Sequence, residues 1–135
     1  MGYRHKGREL ALQILYQIDM KGSDPKSELR YLGHEEPLSQ EVEDFARTVV
    51  EGTYRNLREI DQMIEKFSTH WKLNRMSAVD RNILRLGAYE LLYDHEVPTP
   101  VVLDEAIEIA KKFGSENSSS FINGILDHAA KEVRK

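Results

Sequence analysis

The stretch GYRHKGRE, residues 2–9, spaces its two glycines as a phosphate-cradling loop does. Such a loop needs Lys and then Ser or Thr after the second glycine, and a strand in front to aim it. Here Arg8 and Glu9 follow Gly7, and no strand pattern precedes them, so the spacing carries no nucleotide site. What remains is a cluster of cations. Arg4, His5, Lys6 and Arg8 all come before the first acidic residue, Glu9. The whole chain is acidic, with 19 Lys and Arg against 23 Asp and Glu and a formal net charge of −4. That balance argues against a protein that coats nucleic acid with its entire surface, and it allows a local basic site on an acidic body.

Other chemistry is absent from the pattern. His5, His34, His70, His95 and His128 show no paired ligand spacing, so they read as surface histidines rather than a metal site. No serine sits in a nucleophile motif, and the lack of cysteine removes thiol nucleophiles, disulfides and thiolate metal sites. A cysteine-free chain fits a reducing cytoplasm. The apolar run LALQILY is interrupted by Gln13 and followed by Asp19, so neither a signal peptide nor a membrane span is expected. Carboxylates are plentiful but fall on solvated helix faces. The chain reads as a binding protein, not an enzyme.

The elements that must position these residues are helices. At 135 residues the chain is expected to form one domain. All four prolines lie between periodic segments. A first helix over roughly 3–20 carries Ala11, Ile14, Leu15 and Ile18 on one stripe. KGSDPK is a turn, a short helix covers 26–32, and residues 34–39 form a loop with Ser39 as N-cap. A long apolar pattern from Val42 to Phe67 breaks into two helices near Gly52–Asn56. Ser77 caps the next helix, with Asp80 three residues on as in a capping box. Thr99 as N-cap and Pro100 at the first helical position start another, which Gly114 ends. It carries Leu103, Ala106, Ile107, Ala110 and Phe113. The last helix runs from about Asn117 to Glu132. No strand alternation appears. The fold class is all-α, a bundle of six or seven helices.

Two internal features read as structural. Arg85, Glu90 and Glu105 lie beside apolar positions and suit a partly buried ion-pair cluster that fixes how helices cross. Gly87 and Gly124 sit inside helices, where Gly costs about 1 kcal/mol against Ala, so close packing is expected at both. Arg81 is expected to be an exposed charge.

On the first helix, at about 100° per residue, Arg4 and Arg8 fall at the edge of the apolar stripe and Tyr16 nearly opposite it. An aromatic that the core does not claim, on a helix that opens with cations, suits single-stranded RNA. Cations follow the backbone and bases stack on aromatic faces. A solvated tail beside a half-buried tyrosine is the plainer reading of the same residues.

Three longer motifs decide between them. They are W71-x-x-x-R75-M76-x-x-V79-D80-R81-x-I83-L84-R85-x-G87-x-x-E90-L91, V97-P98-x-x-V101-x-x-D104-E105-A106-I107-E108-x-A110-K111-x-F113-G114, and F121-I122-N123-G124-I125-L126-D127. With R8-E9-x-A11-x-Q13-x-L15-Y16 they closely resemble the NusB family of bacterial transcription antitermination factors, over essentially the whole chain. The resemblance implies a compact helical fold of two packed subdomains, no enzymatic activity and no cofactor. It implies pairing with the ribosomal protein NusE, joint binding of single-stranded boxA RNA in nascent ribosomal RNA leaders, and assembly with NusA, NusG and RNA polymerase. Carried over by motif, the RNA-binding residues are Arg4, Lys6, Arg8, Tyr16, Asp80, Asn117, Ser118, Ser119 and Phe121.

Each has a second reading. Asp80 can be only the cap partner of Ser77, Phe121 a core residue spaced with Ile125, and the serines of SENSSS a capping loop. Gly7 interrupts the basic run and is expected to loosen the helix start, leaving an arm that orders on RNA. The acidic residues Glu41, Glu43, Asp44, Glu51, Glu59 and Glu65 would steer a basic partner. The rival class is a helical protein–protein scaffold that does not touch RNA. The methyltransferases that carry a similar domain need a further catalytic domain, which is not expected within these 135 residues. Dimerisation through the first helix stays open.

Overall fold

A computed structural model describes residues 2–30, 39–69 and 71–134. The expected loop at 34–38, with His34 and Pro37, and His70 lie outside the described residues. The elements are α1 (Gly2–Lys21), α2 (Pro25–Leu29), α3 (Gln40–Arg55), α4 (Leu57–Phe67), a 3-10 turn (Leu73–Arg75), α5 (Ala78–Tyr93), α6 (Thr99–Phe113) and α7 (Ser118–Val133). No strand occurs among the described residues. The chain divides into two compact units, Met1–Arg55 and Asn56–Lys135.

In the first unit α1 packs along α3, with α2 against both. Ala11, Leu12, Ile14, Leu15 and Ile18 of α1 are buried, as are Val42, Ala46, Val49 and Val50 of α3. The helix break falls at Asn56, as the sequence places it. Helix α2 starts earlier than expected because Asp24 is its N-cap, accepting from Ser27 N at 3.0 Å, with Pro25 in the first turn. Ser39 Oγ accepts from Val42 N at 3.2 Å, the expected cap.

Gly7 corrects the sequence reading. Helix α1 runs through it from Gly2. A Cβ here would lie 2.6 Å from Cδ1 of Phe45, so the glycine lets α1 approach α3. The helix start is part of the packed unit rather than a loosened arm.

In the second unit α5 packs against α4, α6 and α7, and carries the fully buried Ile83, Leu84, Leu86 and Leu91. Ser77 Oγ accepts from Asp80 N at 3.1 Å, the expected start of α5. Helix α6 differs in detail. The Pro98 carbonyl accepts its first hydrogen bonds, from Val101 N and Val102 N, and the Thr99 hydroxyl is not a cap. Thr99 instead accepts from Arg134 Nη1 at 3.4 Å. The buried side of α6 is Val102, Ala106, Ile109 and Ala110, while Leu103 and Ile107 sit half-buried at its flank. Facing both α5 and α7 widens the apolar stripe and shifts its centre.

Gly114 ends α6 in an extended conformation, with Ser118 Oγ 2.5 Å from where its Cβ would stand. Its role is close approach, not a left-handed turn. Gly87 also meets expectation, since a Cβ there would lie 2.6 Å from Leu126 Cδ1. Gly124 does not: it is exposed, with nothing within 4 Å of an added Cβ.

Arg85 is buried, and it clamps a carboxylate the sequence reading missed. Its Nε and Nη2 donate to Asp61 Oδ1 and Oδ2 at 2.9 and 3.1 Å. Asn82 Oδ1 accepts from Nη1 at 3.3 Å. This bidentate pair ties α5 to α4. Glu90 is buried and Glu105 half-buried. Arg81 is half-buried rather than exposed, and its Nη1 donates to the carbonyls of Leu73 and Met76, pinning the 3-10 turn to α5.

Candidate nucleic-acid interface

Helix α1 opens with no acidic residue in its first turn, and with Arg4 and His5 there and Lys6 directly after them. The free N–H groups of a helix start form a positive dipole end, which cations oppose and anions satisfy. The arrangement works against the helix by itself and suits an incoming anion such as phosphate. Lys6 is exposed, while Arg4 and His5 are half-buried. Arg4 Nε donates to the Tyr3 hydroxyl at 3.3 Å, and Tyr3 meets Phe45 edge-on with centroids 6.3 Å apart. His5 faces Glu9 across one turn at 3.1 Å.

Arg8 is placed differently from its neighbours. Only 3% exposed, its guanidinium carbon lies 5.3 Å from the centre of the Phe45 ring. A cation over an aromatic face in a buried setting is well satisfied where it stands. A bidentate phosphate contact needs more of the guanidinium free than this. Tyr16 is half-buried, between the fully open platform and the core residue that the sequence allowed.

In the second unit Asn117 precedes α7 and gives its first turn no side-chain hydrogen bond. Asn117 is exposed and Ser119 half-buried. Ser118 is buried, and its Oγ accepts from Ser115 N at 2.9 Å and meets Ser115 Oγ at 3.2 Å. It is occupied in the turn between α6 and α7. Phe121 is half-buried and meets the ring of Trp71 edge-on at 5.8 Å, a partner the sequence reading did not anticipate. No spacing rule links residues so far apart in the chain. Asp80, in the first turn of α5, is half-buried, and its Oδ1 is enclosed with no hydrogen-bond partner among the described residues.

The candidates thus gather in two sets. Arg4, Lys6, Arg8 and Tyr16 lie along α1 of the first unit. Asn117, Ser118, Ser119 and Phe121 open α7 of the second, and Asp80 opens α5 there. Among the described residues no group of three or more His, Asp or Glu side chains could hold a metal, and no helix is long and apolar enough to cross a membrane.

Comparison with known proteins gives this geometry a family. The model of the NusB family matches residues 5–131. The transcription antitermination protein NusB of Sorangium cellulosum is 46% identical over 133 residues, covering 98% of this chain and 95% of the relative. The T. maritima NusB structure superposes with a TM-score of 0.87 at 41% identity, over 96% of this chain and 91% of that one. A crystal structure of antitermination factors NusB and NusE in complex with dsRNA matches with a TM-score of 0.89 at 30% identity, over 98% of each chain. On these matches the chain belongs to the NusB family.

Proposed function

We propose that this chain is a transcription antitermination factor that binds RNA together with NusE. The observation that carries the reading is its full-length likeness to the NusB chain solved with NusE and RNA. The basic, acid-free start of α1 supports it, because those cations oppose the helix dipole and serve an anion instead. The RNA is the boxA element of ribosomal RNA leaders, and the complex joins NusA, NusG and RNA polymerase in the cytoplasm. The role is non-enzymatic, and the chain acts as one functional domain.

Each unit contributes its own RNA contacts. On α1, Lys6 and Arg4 meet phosphate and Tyr16 stacks on a base. Arg8 holds the helix start against Phe45 and lends its charge from behind. On α7, Asn117, Ser119 and Phe121 face the RNA, with Ser118 shaping the turn that presents them. Asp80, half-buried in the first turn of α5, joins them by its match to the family motif.

Fluorescence anisotropy with a labelled boxA RNA and a scrambled control, with and without NusE, tests the reading. Sequence-selective binding that NusE tightens is expected. Binding of NusE with no RNA preference in either mixture would make the chain a scaffold instead.

A further inference from the structure

The sequence holds one tryptophan, Trp71, and the structure leaves it 51% exposed. Its ring meets Phe121 with centroids 5.8 Å apart and planes at 78°. In such an edge-on pair the rim of one ring meets the face of the other. About half of the Trp71 surface is left for a third ring, and the contact with Phe121 holds the tryptophan before a ligand arrives, which lowers the ordering cost of binding.

The surroundings are not those of an apolar docking groove. Lys72 and Arg75, both exposed, flank the tryptophan on the 3-10 segment whose buried Leu73 anchors it. Arg81 also binds the Leu73 and Met76 carbonyls, so the backbone that carries the cations is fixed. Phe121 stands in the opening of α7, beside the exposed Asn117 and Ser120, where the first turn lacks a side-chain cap from Asn117. Two segments far apart in sequence are thus joined by a ring contact, and an exposed tryptophan with two exposed cations close to it in sequence meets the first turn of α7. Bases stacked on aromatics with phosphates held by nearby cations is how single-stranded nucleic acid is bound.

We propose that Trp71, seated against Phe121, is a stacking platform for one base of single-stranded RNA, with Lys72 and Arg75 holding the neighbouring phosphates. The inference rests on the RNA-binding reading above and adds to it a residue and a pair of cations outside the α1 and α7 sets.

As the lone tryptophan, Trp71 reports on itself. Titrating the intact protein with unlabelled boxA RNA is expected to quench its emission. In anisotropy with labelled boxA RNA and NusE present, Trp71→Ala is expected to lose about tenfold in affinity, the size of one stacked base. Trp71→Tyr, which keeps an aromatic face, recovers most of that loss. Lys72→Ala with Arg75→Ala lowers the slope of log affinity against log salt by about two. Should the wild type bind RNA while its emission and the affinity of Trp71→Ala stay unchanged, the platform is overturned and the RNA reading stands. Should Trp71→Ala weaken NusE binding without RNA and leave RNA affinity alone, the residue docks protein and the proposal fails. No RNA binding by the wild type with NusE overturns both. If Trp71→Ala melts early, the wild-type emission and the Trp71→Tyr variant still decide.

Discussion

Two glycines on α1 and α7 look alike in sequence and behave in opposite ways. Gly7 has Phe45 in the space a methyl group would fill, so Gly7→Ala forces α1 and α3 apart. It is expected to destabilise by about 1–3 kcal/mol in chemical denaturation, as overpacking does. Gly124 has open space and helical geometry, so Gly124→Ala is expected to stabilise by about 0.5–1 kcal/mol in the same assay. An unchanged midpoint for both would contradict the packing described. Tyr93 offers a test by pH. Burial first, and the charge of Glu59 second, push its phenol above the ordinary 10.0. Glu59→Gln should therefore let the phenol ionise at lower pH, read by ultraviolet absorbance. The folded state holds that proton longer than the unfolded chain, so whatever stability it supplies is present below pH 10 and fades as pH rises past it. At 40% exposed Tyr93 is screened by solvent, and the titration rather than stability is the readout to follow. At this scale the sequence was least legible. Arg8 and Ser118 carry the residue types of an RNA site, yet Phe45 and Ser115 claim them, and only three-dimensional packing decides which polar side chains are already occupied.

Helix ends were the most legible feature, because caps are local chemistry. Ser39 and Ser77 act as their spacing says, and Asp24 follows the same rule. Ser77→Ala is expected to cost about 1 kcal/mol by loss of the bond to Asp80 N. The end of α5 is different. Arg134, far along the chain, donates to the carbonyls of Glu90, Leu91, Asp94 and Val97 and to the Thr99 hydroxyl. These include the orphan acceptors that any helix terminus leaves. Arg134→Ala strips several at once and is expected to lower stability by about 2 kcal/mol, with early loss of amide protection at the end of α5. Protection equal to wild type would show that water replaces the guanidinium without cost. No sequence pattern announced this clamp, or the pairing of Arg85 with Asp61, because both join residues whose separation follows no helical period. The α6 stripe differs from its sequence pattern for a related reason. Packing against both α5 and α7 buries Ile109 and leaves Leu103 and Ile107 at the flank.

The whole molecule sets charge against charge. A chain of net charge −4 repels RNA at long range, so binding must depend on a few placed cations and on a partner. Removing any one cation that holds a phosphate should lower the salt slope by about one. The architecture itself was readable, because apolar spacing, caps and prolines all agree on helices, and the family motifs span the chain. The family resemblance implies two subdomains, and the residues themselves mark the boundary between Met1–Arg55 and Asn56–Lys135 only as a break between α3 and α4. Whether α1 binds RNA is decided by a salt series of boxA RNA binding with NusE present, comparing the wild type with Lys6→Ala and Tyr16→Ala. Selective, salt-sensitive binding is expected, with a slope about one lower for Lys6→Ala and weaker binding at unchanged slope for Tyr16→Ala. Affinity and slope that ignore both substitutions would refute the RNA site, leaving the cations of α1 as a solvated helix start and the chain as a scaffold for its partner.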